Sequence, residues 1–138
     1  MPLHDILTLI STALAEADRP ETDVTLIAVS KVQPADRVEA VLREGHRVYG
    51  ENRVQEAQGR WPDFQARYDG IRLHLIGPLQ TNKARAAVEM FDAIHTVHRP
   101  KLARTLARLA QERGQSPEVF IQVNTGEEPQ KAGCLPAE

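Results

Sequence analysis

The feature that most constrains this fold is a regular alternation of short apolar runs with longer amphipathic stretches. Runs of this length read as strands, and the first is so uniformly apolar that we expect it to be buried on both faces. The five predicted strands are Thr25–Ser30, Arg47–Gly50, Ile71–Ile76, Ala93–Val97 and Glu118–Asn124.

Between these runs, apolar residues recur at helical spacing, and proline and glycine punctuate the ends. The predicted helices are Leu3–Ala17, Pro34 to Gly45, a polar helix from about Arg53, Thr81–Phe91, and Pro100 to Gly114. Strand–helix alternation at this pitch indicates an α/β fold with a parallel sheet covered by helices. A doubly wound sheet and a barrel both satisfy the pattern, and periodicity does not decide between them. The length of 138 residues predicts a single domain spanning 1–138.

Charge and composition exclude several classes of partner. The formal net charge is -2 and acids are interleaved with the basic residues, so we expect no nucleic-acid partner. No stretch approaches the ~18 consecutive apolar residues of a membrane span, and the first residues do not resemble a signal peptide. Cys134 is the only cysteine, which suits a reducing compartment. We therefore predict a soluble cytoplasmic protein with no membrane partner.

Parallel strands place ligands at their carboxyl ends, and Lys31 follows the first predicted strand. A lysine at the end of a buried apolar strand is partly desolvated, which lowers the pKa of its amine. The free amine is the form that attacks an aldehyde to give a Schiff base. The alternative is a lysine that extends to solvent from a strand end.

Other polar residues near the strand ends leave similar alternatives open. Asn52 and Asn124 can orient a ligand or can serve as turn and cap residues. His74 lies inside the third predicted strand and is either a hydrogen-bonded core histidine or a base. His95 and His98 lack a third ligand at recognisable spacing, so we predict no metal site.

Four motifs together resemble one family. Leu26–Lys31 resembles the cofactor-lysine strand of the pyridoxal phosphate homeostasis proteins, which are related to the N-terminal barrel of alanine racemase. Three further segments are similar to later signatures of that family in the same order, namely Tyr49–Glu56, His74–Lys83, and Ile121–Asn124 followed by Lys131–Gly133.

The resemblance implies a TIM-type (β/α) barrel that carries pyridoxal 5′-phosphate (PLP) in its mouth. It implies that Lys31 holds the cofactor as a Schiff base, that Asn52 lies near the cofactor ring, and that His74 and Asn124 line the pocket. The implied function is PLP binding in intracellular PLP homeostasis, without a catalytic residue. The alternative is a PLP-dependent amino-acid racemase-like enzyme, which would need a second acid/base that we do not find in the sequence.

A TIM barrel has eight strands, whereas five are predicted here, so we expect a barrel truncated after about the fifth strand. In the resembling family, the phosphate-binding segment and a late Arg-x-Gly loop follow these strands. We therefore expect weaker PLP binding than in a longer relative. The open sheet edges predict self-association that covers them.

Overall fold

The computed structural model describes residues 2–138. In this part of the chain the strands are β1 (Ala28–Val29), β2 (Val48–Glu51), β3 (Arg72–Leu75), β4 (Ala93–Val97) and β5 (Glu118–Ile121). The helices are α1 (Leu3–Glu16), α2 (Ala35–Arg43), α3 (Val54–Arg67), α4 (Ala84–Met90) and α5 (Pro100–Arg113). Short 3-10 helices precede β1 and α4, at Glu21–Asp23 and Thr81–Lys83.

The strands form one parallel sheet in the order β1-β2-β3-β4-β5. A doubly wound sheet reverses its strand order at a switch point, whereas a barrel adds each strand beside the one before it. The unreversed order is therefore that of a barrel. The described residues form a five-strand arc of a TIM-type (β/α) barrel, which confirms the predicted fold class.

The core lies between the sheet and its helices. Tyr49 of β2 packs against Trp61 of α3 with ring centroids 4.8 Å apart, and Trp61 meets Phe64 at 5.4 Å. α3 buries four side chains at helical spacing, so that one apolar stripe faces the sheet; these are Val54, Ala57, Trp61 and Phe64. The helix α3 thereby covers the outer face of the sheet at β2.

The opposite face of the sheet, here called the inner face, is turned away from the helices. A Cβ added to Gly50 would lie 3.0 Å from Ile27 Cγ2 and 3.1 Å from Ile76 Cδ1, so these side chains meet over the glycine on this face. His74 pairs with Gly50 in register, and directly opposite residues of neighbouring strands share a face. The inner face is the one that surrounds the axis of a barrel.

The two edge strands differ from the sequence prediction. β1 is a two-residue strand with Val29 50% exposed, so the expectation of a longer strand buried on both faces is wrong. β5 ends at Ile121 and every residue in it is exposed. Each of these strands has a neighbouring strand on one side only. Their residues are exposed because no second strand lies along the other side.

Among the described residues, no helix is long and apolar enough to cross a membrane.

Candidate functional site

Lys31 lies in the tight turn that follows β1. The Gln33 amide donates to the Ser30 carbonyl at 3.2 Å, which leaves Lys31 and Val32 as the two central residues of the turn. Val32 has a φ of 51°, a left-handed conformation that β-branched residues rarely adopt. Such strain persists where the surrounding structure enforces it, and it clusters at functional sites.

Lys31 is exposed to solvent, so the sequence expectation that it is partly desolvated is wrong. The reason is that β1 is an edge strand with only β2 beside it, and Lys31 lies beyond its last residue. Side chains alternate along a strand, so Val29, which is opposite Gly50, and Ile27 before it lie on the inner face. Ser30 points the other way, where its hydroxyl donates to Glu51 Oε1 at 2.7 Å.

Asn52 follows β2 at the carboxyl end of the sheet and is half-buried. A Cβ on Gly77, which follows β3, would lie 2.2 Å from the Asn52 carbonyl oxygen, so only glycine permits this close approach. The two strand ends border a cleft of about 530 Å³, which is lined by Asn52, Arg53, Val54, Gln55, Pro78, Leu79, Gln80 and Lys83.

His74 is 8% exposed on the inner face, and its Nδ1 lies 2.8 Å from His95 Nε2 of β4. One ring of this pair must therefore donate and the other accept. His95 in turn stacks on Phe120 with centroids 4.7 Å apart. Burial lowers the pKa of both histidines, and the charges of His95 and Arg72 add to the lowering at His74. The pair is therefore held toward its uncharged form.

Asn124 is buried, but its amide is used by its own loop. Nδ2 donates to the Glu128 carbonyl at 2.8 Å, and Oδ1 accepts from the Glu128 amide at 3.3 Å. Its backbone amide donates to the Cys134 carbonyl at 2.8 Å. These contacts fold the segment after β5 back on itself.

The structure brings three of the four predicted site residues onto neighbouring strands. Lys31 follows β1, Asn52 follows β2, and His74 lies within β3, directly beside Gly50. Asn124 follows β5, at the other edge of the five-strand arc.

One group of interacting residues was not singled out from the sequence. Glu51 is 1% exposed, and its Oε1 accepts from the Ser30 hydroxyl at 2.7 Å and from Trp61 Nε1 at 3.1 Å. Arg60 Nη1 lies 3.6 Å from the same oxygen. A carboxylate directly after a predicted strand, followed nine residues later by an arginine in a predicted helix, is the only signal for this network in the sequence.

Among residues 2–138, no group of three or more histidine, cysteine or acidic side chains could hold a metal ion.

Comparison with known proteins gives a consistent set of relatives. Residues 10–138 match the family described as "Alanine racemase, N-terminal domain". The chain is 36% identical over 136 residues to the pyridoxal phosphate homeostasis protein of Vibrio cholerae, and 38% identical over 137 residues to that of Escherichia coli K12. These matches cover 97% and 99% of this chain but 58% of each relative. The chain thus spans a little over half the length of these relatives.

Solved structures agree with the sequence comparison. PipY of Synechococcus elongatus PCC7942, solved with PLP bound, superposes with a TM-score of 0.75 at 40% identity, over 95% of this chain and 59% of PipY. An alanine racemase of Clostridium difficile, at 15% identity and a TM-score of 0.61 over 97% of this chain and 34% of its own, shares the fold. These findings confirm the resemblance seen in the four motifs, and the chain belongs to the family of the alanine racemase N-terminal domain.

Proposed function

We propose that this chain is a PLP-binding protein of intracellular PLP homeostasis, built as a single barrel domain over 1–138. In this proposal Lys31 holds the cofactor as a Schiff base, and the protein acts in the cytoplasm. The relatives in Vibrio cholerae and Escherichia coli carry the name pyridoxal phosphate homeostasis protein, and PipY was solved with PLP. A cytoplasmic setting agrees with a chain whose only cysteine, Cys134, is free.

The observation that carries the proposal is the position of Lys31. It follows β1 at the carboxyl end of the sheet, where barrels of this type bind their ligands. Its neighbour Val32 is held at a φ of 51°. An exposed amine on a constrained turn is accessible to an aldehyde without rearrangement of the chain.

The residues present fit this cofactor. Bound PLP supplies an aldehyde that condenses with an amine. The Lys31 Nζ would hold the cofactor through this aldehyde as a Schiff base. The cleft of about 530 Å³ at the ends of β2 and β3 is lined by Arg53 and Lys83, whose positive charge suits a phosphate.

We propose different contributions for the other three residues. Asn52, which lines the cleft, would contact the cofactor ring. His74 would form part of the inner-face wall in its uncharged form. Asn124 would contribute by holding the loop after β5, because both atoms of its amide already bond to Glu128.

We propose a carrier rather than an enzyme. A racemase needs an acid/base on each face of the substrate α-carbon. Tyrosine could serve, but Tyr49 donates its hydroxyl to the His46 carbonyl and Tyr68 donates to Glu39, both on the helical side. Burial also raises the pKa of Tyr49 to about 12. We expect no turnover of alanine or serine; racemisation that disappears in Lys31→Ala would establish the enzyme instead.

The test is an absorbance spectrum of the purified protein with added PLP, before and after borohydride, followed by mapping of the modified peptide. We expect a Schiff-base band and a reduced adduct on Lys31. Lys31→Ala should lose both, while Lys101→Ala, which changes an exposed lysine of α5, should keep them. Adducts scattered over surface lysines, or a band that survives in Lys31→Ala, would contradict the proposal.

A further inference from the structure

We infer that Arg60 is a positioning residue that holds the Lys31 turn, defined here as residues 30–33, in its reactive geometry. The inference rests on the proposed function of Lys31. Arg60 lies in α3, which follows β2 along the chain. Its guanidinium nevertheless reaches the turn after β1. It acts on Lys31 through the backbone of the turn.

One guanidinium bonds to the turn on both sides of the lysine. Arg60 Nη1 donates to the Ser30 carbonyl at 2.7 Å, and Nη2 donates to the Gln33 carbonyl. These two residues flank Lys31 and Val32. The planar fork of arginine can bind two acceptors in a fixed relation, which a lysine ammonium cannot do with the same geometry. The bonds therefore fix the span of the turn.

The position of the Arg60 guanidinium is held by Glu51. The Glu51 side chain is 2% exposed, and its Oε1 lies 3.6 Å from Arg60 Nη1. The same oxygen accepts from Trp61 Nε1 and from the Ser30 hydroxyl. Since Trp61 is fully buried in the core, the network connects the Lys31 turn to the core of the molecule.

The backbone next to Lys31 is strained at Val32, and the bonds from Arg60 explain how this strain is maintained. Val32 is 82% exposed, so side-chain packing does not explain its φ of 51°. The bonds from Arg60 to the carbonyls before and after it supply the constraint instead. Without them, the turn relaxes toward ordinary backbone angles, and the backbone that carries Lys31 loses its fixed conformation.

The first test uses no cofactor. Hydrogen–deuterium exchange is measured at the Gln33 amide in the wild-type chain and in Arg60→Met. This amide donates to the Ser30 carbonyl within the turn. We expect exchange to be faster by about tenfold in the variant, since a hydrogen bond from a charged group is lost on each side of the turn. Arg60→Lys keeps the charge beside Glu51 and reaches one carbonyl, so its exchange rate should be intermediate. Should Arg60→Met fail to fold, Arg60→Lys against the wild type decides the same question.

The second test measures how selectively PLP reacts with Lys31. PLP is added below saturation, borohydride traps the product, and the ratio of adduct on Lys31 to adduct on all other lysines is determined. We expect this ratio to fall about tenfold in Arg60→Met and to be partly restored in Arg60→Lys. Arg37→Met is the matched control, because Arg37 bonds to the Gln33 side chain and not to the turn backbone; it should behave as the wild type.

The outcomes separate this inference from the proposed function. Unchanged Gln33 exchange in folded Arg60→Met, or an equal change in Arg37→Met, overturns the inference. An unchanged Lys31 ratio in Arg60→Met also overturns it while leaving the proposed function intact. If the wild type takes no adduct on Lys31, the proposed function is wrong, and the role of Arg60 toward the lysine falls with it.

Discussion

At the scale of single residues, the inner face contains two histidines that share one hydrogen bond. His74 Nδ1 and His95 Nε2 are 2.8 Å apart, and His95 stacks on Phe120. If both rings were charged, each nitrogen in the contact would have a proton and the pair would repel. Burial already disfavours the charged forms. Charging both rings therefore opposes folding.

Replacing His74 should make stability less dependent on pH. Burial lowers the pKa of His74 below its usual value of about 6.5. The unfolded state therefore binds more protons than the native state below pH ~6.5, and stability falls as pH falls from there toward the lowered native pKa. We expect urea unfolding to show a smaller loss of stability between pH 7.5 and 5.5 in His74→Gln than in the wild type.

The control for this experiment is His4→Gln, which changes an exposed histidine of α1. It should leave the wild-type pH dependence in place. If His74→Gln loses as much stability as the wild type over the same interval, His74 does not contribute to the acid sensitivity, and other titrating groups account for it.

At the scale of elements, the ends of β2 and β3 depend on one glycine. Gly77→Ala would place a Cβ 2.2 Å from the Asn52 carbonyl oxygen, and a backbone atom cannot swing aside as a side chain can. We expect Gly77→Ala to lower the free energy of unfolding by about 1–3 kcal/mol, as overpacked sites do. Urea denaturation followed by circular dichroism measures this change.

Gly59 offers a matched control within the same region. It lies inside α3, it is exposed, and a Cβ there meets nothing within 4 Å. Gly59→Ala should raise the free energy of unfolding by about 0.5–1 kcal/mol, because alanine loses less backbone entropy in a helix. If Gly77→Ala leaves the free energy of unfolding unchanged, the ends of β2 and β3 separate readily and the cleft between them can change its width.

The elements also show what sequence alone could predict. The helix α5 begins at Pro100 and ends before Gly114, whose φ of 71° forms the left-handed cap that only glycine adopts freely. Such local signals predict element type and ends well. The exposure of Lys31 and the link from Arg60 to Glu51 could not be predicted, because each depends on which strands and helices lie beside the residue in space.

At the scale of the whole molecule, the sheet presents two edges with unequal character. The edge at β1 is two residues long, whereas β5 exposes a row of large apolar side chains: Val119 at 44%, Phe120 at 46% and Ile121 at 73%. Unpaired backbone groups next to exposed apolar side chains form a template for pairing with another chain. The β5 edge is therefore where the predicted self-association should occur.

A single charge at this edge should weaken the association. We expect sedimentation of the wild-type chain to show a mass above that of the monomer that rises with concentration, and Ile121→Lys to shift it toward the monomer. Leu9→Lys is the matched control, since Leu9 is 59% exposed but lies on α1, outside the sheet.

Both substitutions change exposed positions, so each should alter the free energy of unfolding by less than about 0.5 kcal/mol. A wild-type chain that stays monomeric at every concentration would contradict self-association, and an equal effect of Leu9→Lys would place the contact away from β5.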